Sequence, residues 1–152
     1  MTLRDEFLAL PPRQRRIVHE FLIEQALTRW KAHTEQAGEI RYRETVTGTE
    51  QIVDASLPED AVRAVRTGED VDAVDRRYGE PKTALQDNDL SFPEPVEFAY
   101  YAILNYFRKY ALQRDVDDWL IVNQAISSVD ERKWEDTLRS AIEKALQEPR
   151  GS

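Results

Sequence analysis

The sequence predicts a mainly α protein, a compact bundle of about six or seven helices around a central apolar helix, with one small β-hairpin as an option. Apolar residues recur at helical spacing along most of the chain, glycines and prolines separate these stretches, and only one segment alternates apolar with polar residues. The chain has 152 residues, 41% of them hydrophobic, which is sufficient for one domain with its own core. We expect residues 1–148 to form this domain and residues 149–152 to be a disordered tail or a cloning remnant.

The first two helices are predicted on either side of a double proline. Thr2 and Asp5 have the spacing of a capping box for a short first helix, and Pro12 suits the first turn of a second helix over 13–35. Apolar residues cover most of the circumference of this second helix, so we expect it to pack on more than one side. The stripe left for solvent consists of Glu20, Glu24 and Lys31.

The next segment is predicted to form strands. Apolar and polar side chains alternate over 40–47, and Gly48 could open a turn into a second strand at 51–53. A lone hairpin is only marginally stable, so this one would have to lie on the helices.

Two short acidic helices are predicted after the hairpin. Ser56, three residues before Glu59, resembles a capping box for a helix that stops at Gly68. Asp70 can cap a second helix, which ends before the segment 79–95. That segment contains prolines and acidic turn residues and is predicted as a long loop.

Three helices are predicted in the last third of the chain. The most apolar of them, over 96–112, is the expected centre of the bundle, and a helix over 117–127 follows. Ser128, three residues before Glu131, has the spacing of a cap for the last helix. The buried stripe of that helix is expected to be Trp134, Leu138, Ala141 and Ala145.

Negative charge is concentrated in the middle third of the sequence. The net charge is −8, and residues 44–99 alone hold fourteen acidic and five basic side chains. Such acidity opposes binding to nucleic-acid phosphates and to anionic membranes, and it favours a basic protein partner. A need for solubility would explain the same composition.

The composition also bears on the compartment. There is no cysteine, the first residues show no secretory pattern, and the longest uncharged stretch, 119–129, is about half the length of a bilayer-spanning helix. We therefore expect a cytoplasmic protein without membrane association, either a monomer or a homodimer.

The sequence lacks the residue patterns of the common catalytic sites. No serine lies in a nucleophile elbow, and no glycines cluster as in a phosphate-binding loop. His19 and His33 lie about 21 Å apart along the predicted second helix, so they cannot share a metal ion. Each is expected to be a partly exposed helix residue. We therefore expect no enzymatic activity and no cofactor.

Two alternative functions remain open. Glu20 and Glu24, one turn apart, could hold magnesium in a helical hydrolase, joined across the bundle by Glu131 and Glu135. Exposed aromatic residues from 98–110 could instead make the chain a structural or adaptor subunit of an oligomer.

Nucleic-acid binding has two small supports in the sequence. They are the basic start of the second helix, at Arg13, Arg15 and Arg16, and the stretch 41–43, in which a tyrosine lies between two arginines. Both patches are small and the rest of the molecule is negative. We therefore predict no nucleic-acid partner and rank this function below protein binding.

The acidic side chains of the two short helices form the candidate partner-binding site. These helices have little apolar surface, so they could present a dense negative patch to a basic protein. The residues are Glu59, Asp60, Glu69, Asp70, Asp72 and Asp75. In its general profile (small, acidic, cysteine-free and helical) the chain resembles the immunity proteins that bacteria make against their own secreted toxins. This resemblance of character, which involves no motif, implies an inhibitor that covers the active site of a basic, nuclease-like toxin.

Overall fold

The structure, a computed structural model, describes residues 2–38, 41–43, 48, 50–52, 55–78, 94–129 and 132–147. Within these residues the protein is compact and mainly helical, as predicted. The helices are α1 (Leu3–Leu8), α2 (Pro12–Ala37), α3 (Leu57–Thr67), α4 (71–78), α5 (Glu94–Tyr110), α6 (Asp118–Ser127) and α7 (Trp134–Gln147). Two short strands, β1 (Arg41–Arg43) and β2 (Glu50–Ile52), pair antiparallel with Tyr42 opposite Gln51.

Several helices begin at the residues that the sequence indicates. At α1, the Thr2 hydroxyl accepts the Asp5 N–H at 3.1 Å and the Asp5 carboxylate accepts the Thr2 N–H at 3.4 Å, which is a complete capping box. Pro12 is the first residue of α2. Asp117 caps α6 by accepting the Trp119 N–H at 3.1 Å.

Two predicted serine caps are wrong. Ser56 precedes α3, but its backbone is already helical and its hydroxyl accepts a hydrogen bond from Arg77 at 3.1 Å instead of capping. Ser128 lies at the end of α6, six residues before α7 begins at Trp134. Its buried hydroxyl donates to the Ala125 carbonyl at 2.5 Å. In both cases the hydroxyl that the spacing predicted to cap a helix forms its hydrogen bond with another residue.

Helices α2 and α5 pack against each other and against several further helices. Helix α5 contacts α2, α3 and α6, while α2 contacts α3, α5, α6 and α7. Trp30 of α2 and Tyr100 of α5 are both buried, with ring centroids 5.2 Å apart, and the Trp30 indole donates to the Ala55 carbonyl at 2.8 Å. The broad apolar circumference of α2 is explained by these neighbours on several sides.

Some predicted segments lie outside the described residues. They are residues 40, 44–47 and 53 of the predicted strands, Glu131, the tail 149–152 and most of the predicted loop. Of the loop 79–95, only its last two residues are described, and they form the start of α5. In the described part of the chain, no helix is both long and apolar enough to cross a bilayer.

Candidate functional site

The predicted acidic site lies on α3, on α4 and on the turn between them. Gly68 ends α3 with a φ of 73°, and its N–H donates to the Ala64 carbonyl at 2.8 Å. Asp70 follows with a φ of 60°, a left-handed conformation that aspartate tolerates better than most residues. Glu69, Asp70 and Asp72 are all exposed. We call these three residues the acidic corner.

Glu59 and Asp60, in contrast, are engaged in ion pairs. The Glu59 carboxylate lies 2.9 Å from the Lys31 ammonium of α2. The Asp60 carboxylate lies 2.9 Å from Arg63 and 2.8 Å from Arg77 of α4. Much of the negative charge at the start of α3 is therefore compensated by cations from α2, α3 and α4.

Asp75 is half-buried and belongs to neither group. Its charge acts on Arg108 of α5, where it opposes the lowering of the arginine pKa by burial and by Arg114. The six predicted residues thus divide into two that are paired, one that interacts with α5, and the acidic corner. The corner carboxylates form no ion pair with any described residue.

A buried polar network, which the sequence did not reveal, joins α2, α5 and α6. His19 of α2 is 0% exposed. Its Nδ1 lies 2.6 Å from the Tyr110 hydroxyl, and its Nε2 lies 2.9 Å from the Asp118 carbonyl oxygen. Because a carbonyl only accepts, Nε2 carries the proton and donates it, while Nδ1 accepts from the Tyr110 hydroxyl.

The side chain of Asp118 adds charge to this network. One carboxylate oxygen lies 3.1 Å from Arg15 and the other 2.6 Å from the Lys109 ammonium. Burial alone would raise the pKa of Asp118, but the hydrogen bonds from Lys109 and Arg15 outweigh burial and hold that pKa below its usual value. We call Arg15, His19, Lys109, Tyr110 and Asp118 the polar junction.

Burial dominates the acid–base properties of the junction. It lowers the pKa of His19 to about 4, although the Asp118 carbonyl and carboxylate favour the protonated ring. Burial, assisted by the Asp118 charge, raises the pKa of Tyr110. At neutral pH both side chains are therefore uncharged. Since both His19 nitrogens are engaged and the ring is inaccessible, the junction holds three helices together and offers no base to a substrate.

The expectation that His19 is a partly exposed helix residue is therefore wrong, whereas His33 is half-buried as expected. A signal for the burial of His19 was present in the sequence. His19 is followed at i+4, i+7 and i+11 by Ile23, Ala26 and Trp30, all of which are buried, so it continues the core face of α2.

Two of the four carboxylates proposed for a magnesium hydrolase are paired with arginines. Glu20 lies 3.0 Å from Arg16, and Glu24 lies 2.6 Å from Arg66. Among the described residues, no group of three or more histidine, aspartate and glutamate side chains is placed to hold a metal ion. Nothing in the described part of the chain therefore supports the hydrolase alternative.

The aromatic and basic residues that suggested an oligomer subunit or a nucleic-acid-binding protein are largely buried or paired in the described part of the chain. None of the aromatic residues of 98–110 is exposed, because Tyr100, Tyr106 and Phe107 are buried and Phe98, Tyr101 and Tyr110 are half-buried. In the basic start of α2, the cations at positions 15 and 16 are paired with carboxylates, which leaves Arg13 as the one without an ion pair among the described residues. The side chains of 41–43 lie outside the described part of the structure.

Comparisons with protein-family models, with curated protein sequences and with solved structures each find no match to this chain.

Proposed function

We propose that the chain is a protein-binding module that recognises a basic protein through the acidic corner. The observation that carries this proposal is the contrast between paired and unpaired carboxylates on α3 and α4. Glu59 and Asp60 already have cationic partners within the molecule, whereas Glu69, Asp70 and Asp72 have none among the described residues. Exposed charge without an internal partner is available to steer a cationic surface into contact.

The finer form of this proposal is an inhibitor of the immunity type. In that role the acidic corner would occupy the phosphate-binding surface of a nuclease-like toxin and block it stoichiometrically. The net charge of −8 supports this direction, because it repels nucleic acid itself while attracting the proteins that bind it.

The test compares two variants with the same change of net charge. One carries Glu69→Lys, Asp70→Asn and Asp72→Lys; asparagine is used at position 70 because it tolerates the positive φ. The control carries Glu135→Lys, Asp136→Asn and Glu143→Lys, which are exposed positions on α7.

Each variant and the wild type are used to capture proteins from a source lysate, and association rates are then measured with the purified partner at low and high salt. We expect a basic protein that the wild type and the α7 control retain and the corner variant loses. Its on-rate should fall at least about tenfold in the corner variant and should fall with rising salt. Equal retention by all three proteins, or an on-rate that salt does not change, would contradict the proposal.

A further inference from the structure

A cleft with a volume of about 580 Å³ runs along one side of α6. Its size falls within the range of about 300–1,000 Å³ that is usual for small-molecule sites. Helix α6 contributes Trp119, Asn123, Ile126 and Ser127, which recur at i, i+4, i+7 and i+8 and therefore lie on one face. The helix rises about 12 Å from the first of these residues to the last, so the cleft is elongated.

The walls of the cleft are mostly aromatic. Phe98 comes from α5 and Trp134 from the start of α7, and they face the cleft together with Trp119. All three rings are half-buried, so each keeps part of its surface accessible. Flat aromatic walls of this kind provide a large contact area for an apolar or aromatic ligand.

Arg29 of α2 is the charged residue of the lining. It is exposed, and it forms no ion pair within the described part of the chain. Arg29 and Phe98, at the start of α5, both line the cleft, and their sequence neighbours Trp30 and Tyr100 have ring centroids 5.2 Å apart. The opposite end of the cleft is at Trp119. The neighbouring residue Asp118 is paired with Arg15, and Arg15 lies about 21 Å from Arg29 along α2. Arg29 therefore lies at one end of the cleft, while at the other end the guanidinium of Arg4, which is not a lining residue, lies 5.5 Å from the centroid of the Trp119 ring.

We propose that this cleft binds a small, elongated apolar carboxylate. The carboxylate lies on the Arg29 guanidinium, whose planar fork matches two carboxylate oxygens, and the apolar body extends along α6 towards Trp119. Asn123 provides an exposed amide midway along the cleft, while the Ser127 hydroxyl donates to the Asn123 carbonyl at 2.7 Å. The site shares no lining residue with the acidic corner and does not depend on the proposed function.

Phenylbutyrate is a suitable probe because it carries an aromatic ring and a carboxylate at opposite ends. Phenylbutanol is its neutral counterpart. Binding is measured by ligand-observed NMR titration, with tryptophan fluorescence as the readout of location, because two of the three tryptophans line the cleft and Trp30 is buried. We expect a dissociation constant below about 1 mM for the carboxylate and at least about fivefold weaker binding of the alcohol.

Three variants locate the ligand within the cleft. Arg29→Gln should weaken the binding of phenylbutyrate at least about tenfold and leave the binding of phenylbutanol unchanged, since only phenylbutyrate has a carboxylate that pairs with the guanidinium. Arg13→Gln is the matched control, an exposed arginine on the same helix outside the cleft, and should change neither. Asn123→Phe should fill the middle of the cleft and abolish binding of both probes while the circular dichroism spectrum stays unchanged.

Three results would overturn this proposal. The first is that neither probe binds up to its solubility limit. The second is that Arg29→Gln and Arg13→Gln bind phenylbutyrate equally well. The third is that sedimentation shows a dimer that Asn123→Phe dissociates, because a second copy of the chain would then occupy the cleft.

Discussion

The polar junction and the acidic corner show two uses of charge in one small helical protein. In the junction, the Asp118 carboxylate lies between Arg15 and Lys109, and the buried, neutral His19 donates a hydrogen bond to the Asp118 carbonyl. In the corner, three exposed carboxylates of the turn and the start of α4 form no ion pair with a described residue, although Arg63 and Arg77, which pair with Asp60, line the same pocket as Glu69 and Asp70. The junction pairs its charged groups internally, although the buried Arg15 Nε has no hydrogen-bond partner in the described part of the chain, whereas the corner leaves its carboxylates to solvent.

Because of this difference, we expect the junction to contribute to the stability of the fold and the corner to contribute to binding. A buried polar group contributes to stability only while its partners are in place, and removing one partner leaves the others unsatisfied in a medium of low polarity. An exposed carboxylate without a partner contributes little to stability, so its substitution changes binding without changing the fold. We therefore expect substitutions in the junction to change stability strongly, and those in the corner to change association.

The largest effect is expected from His19→Ala. This substitution removes a buried ring and leaves the Tyr110 hydroxyl and the Asp118 carbonyl without their partner. The free energy of unfolding should fall by about 4 kcal/mol, as measured by urea denaturation. His33→Ala on the same helix is the control and should cost less than about 1 kcal/mol, because His33 is only half-buried. Equal losses in the two variants would show that the junction is not a special source of stability.

A second effect should appear on acidification. The folded protein holds the pKa of His19 at about 4, below the ordinary value of 6.5, so folding favours the neutral ring. The stability that this provides is complete above pH 6.5 and is lost as the pH falls from 6.5 towards about 4, because the unfolded chain takes up the proton first. The expected loss is about 3 kcal/mol over this window, from about 1.4 kcal/mol per pKa unit.

The comparison that isolates this effect is with His19→Gln, which has the same carboxylates and cannot titrate at position 19. Urea denaturation of both proteins across the window should give a steep dependence on pH for the wild type and a shallow one for the variant. Parallel curves would mean that the carboxylates, rather than His19, govern the acid sensitivity.

The sequence predicted the helices better than it predicted the contacts between them. Local signals act within a few residues, so the Thr2 capping box and the first turn of α2 at Pro12 were both predicted correctly. Ser56 and Ser128 carried the same kind of signal and were wrong, because a residue elsewhere in the fold or an earlier turn of helix engages each hydroxyl. Spacing along the chain does not reveal such competitors.

The candidate sites illustrate the same limit. Composition located the acidic region, but it could not separate Asp60, which is paired with Arg77, from Asp72, which is exposed. Asp60 pairs with Arg63 of its own helix and with Arg77, which folding brings near from α4, whereas Asp72 is exposed and has no ion pair among the described residues. The cleft along α6 was beyond sequence reasoning for a similar reason, since its walls come from α2, α5, α6 and α7 and spacing along the chain does not reveal how these helices pack.

The smallest effects provide the sharpest test within the acidic helices themselves. Asp60→Asn removes the charge that pairs with Arg63 and Arg77, at a carboxylate that is 26% exposed, and should cost about 1 kcal/mol of unfolding free energy. Asp72→Asn removes the same charge at an exposed position without an ion pair among the described residues, and should change stability by less than about 0.5 kcal/mol. Both are measured by urea denaturation at low and high salt, and the difference between the variants should shrink as salt screens the pairs. If Asp72→Asn were instead the costlier substitution, the corner would be part of the internal charge network, and its carboxylates would not be available to a partner.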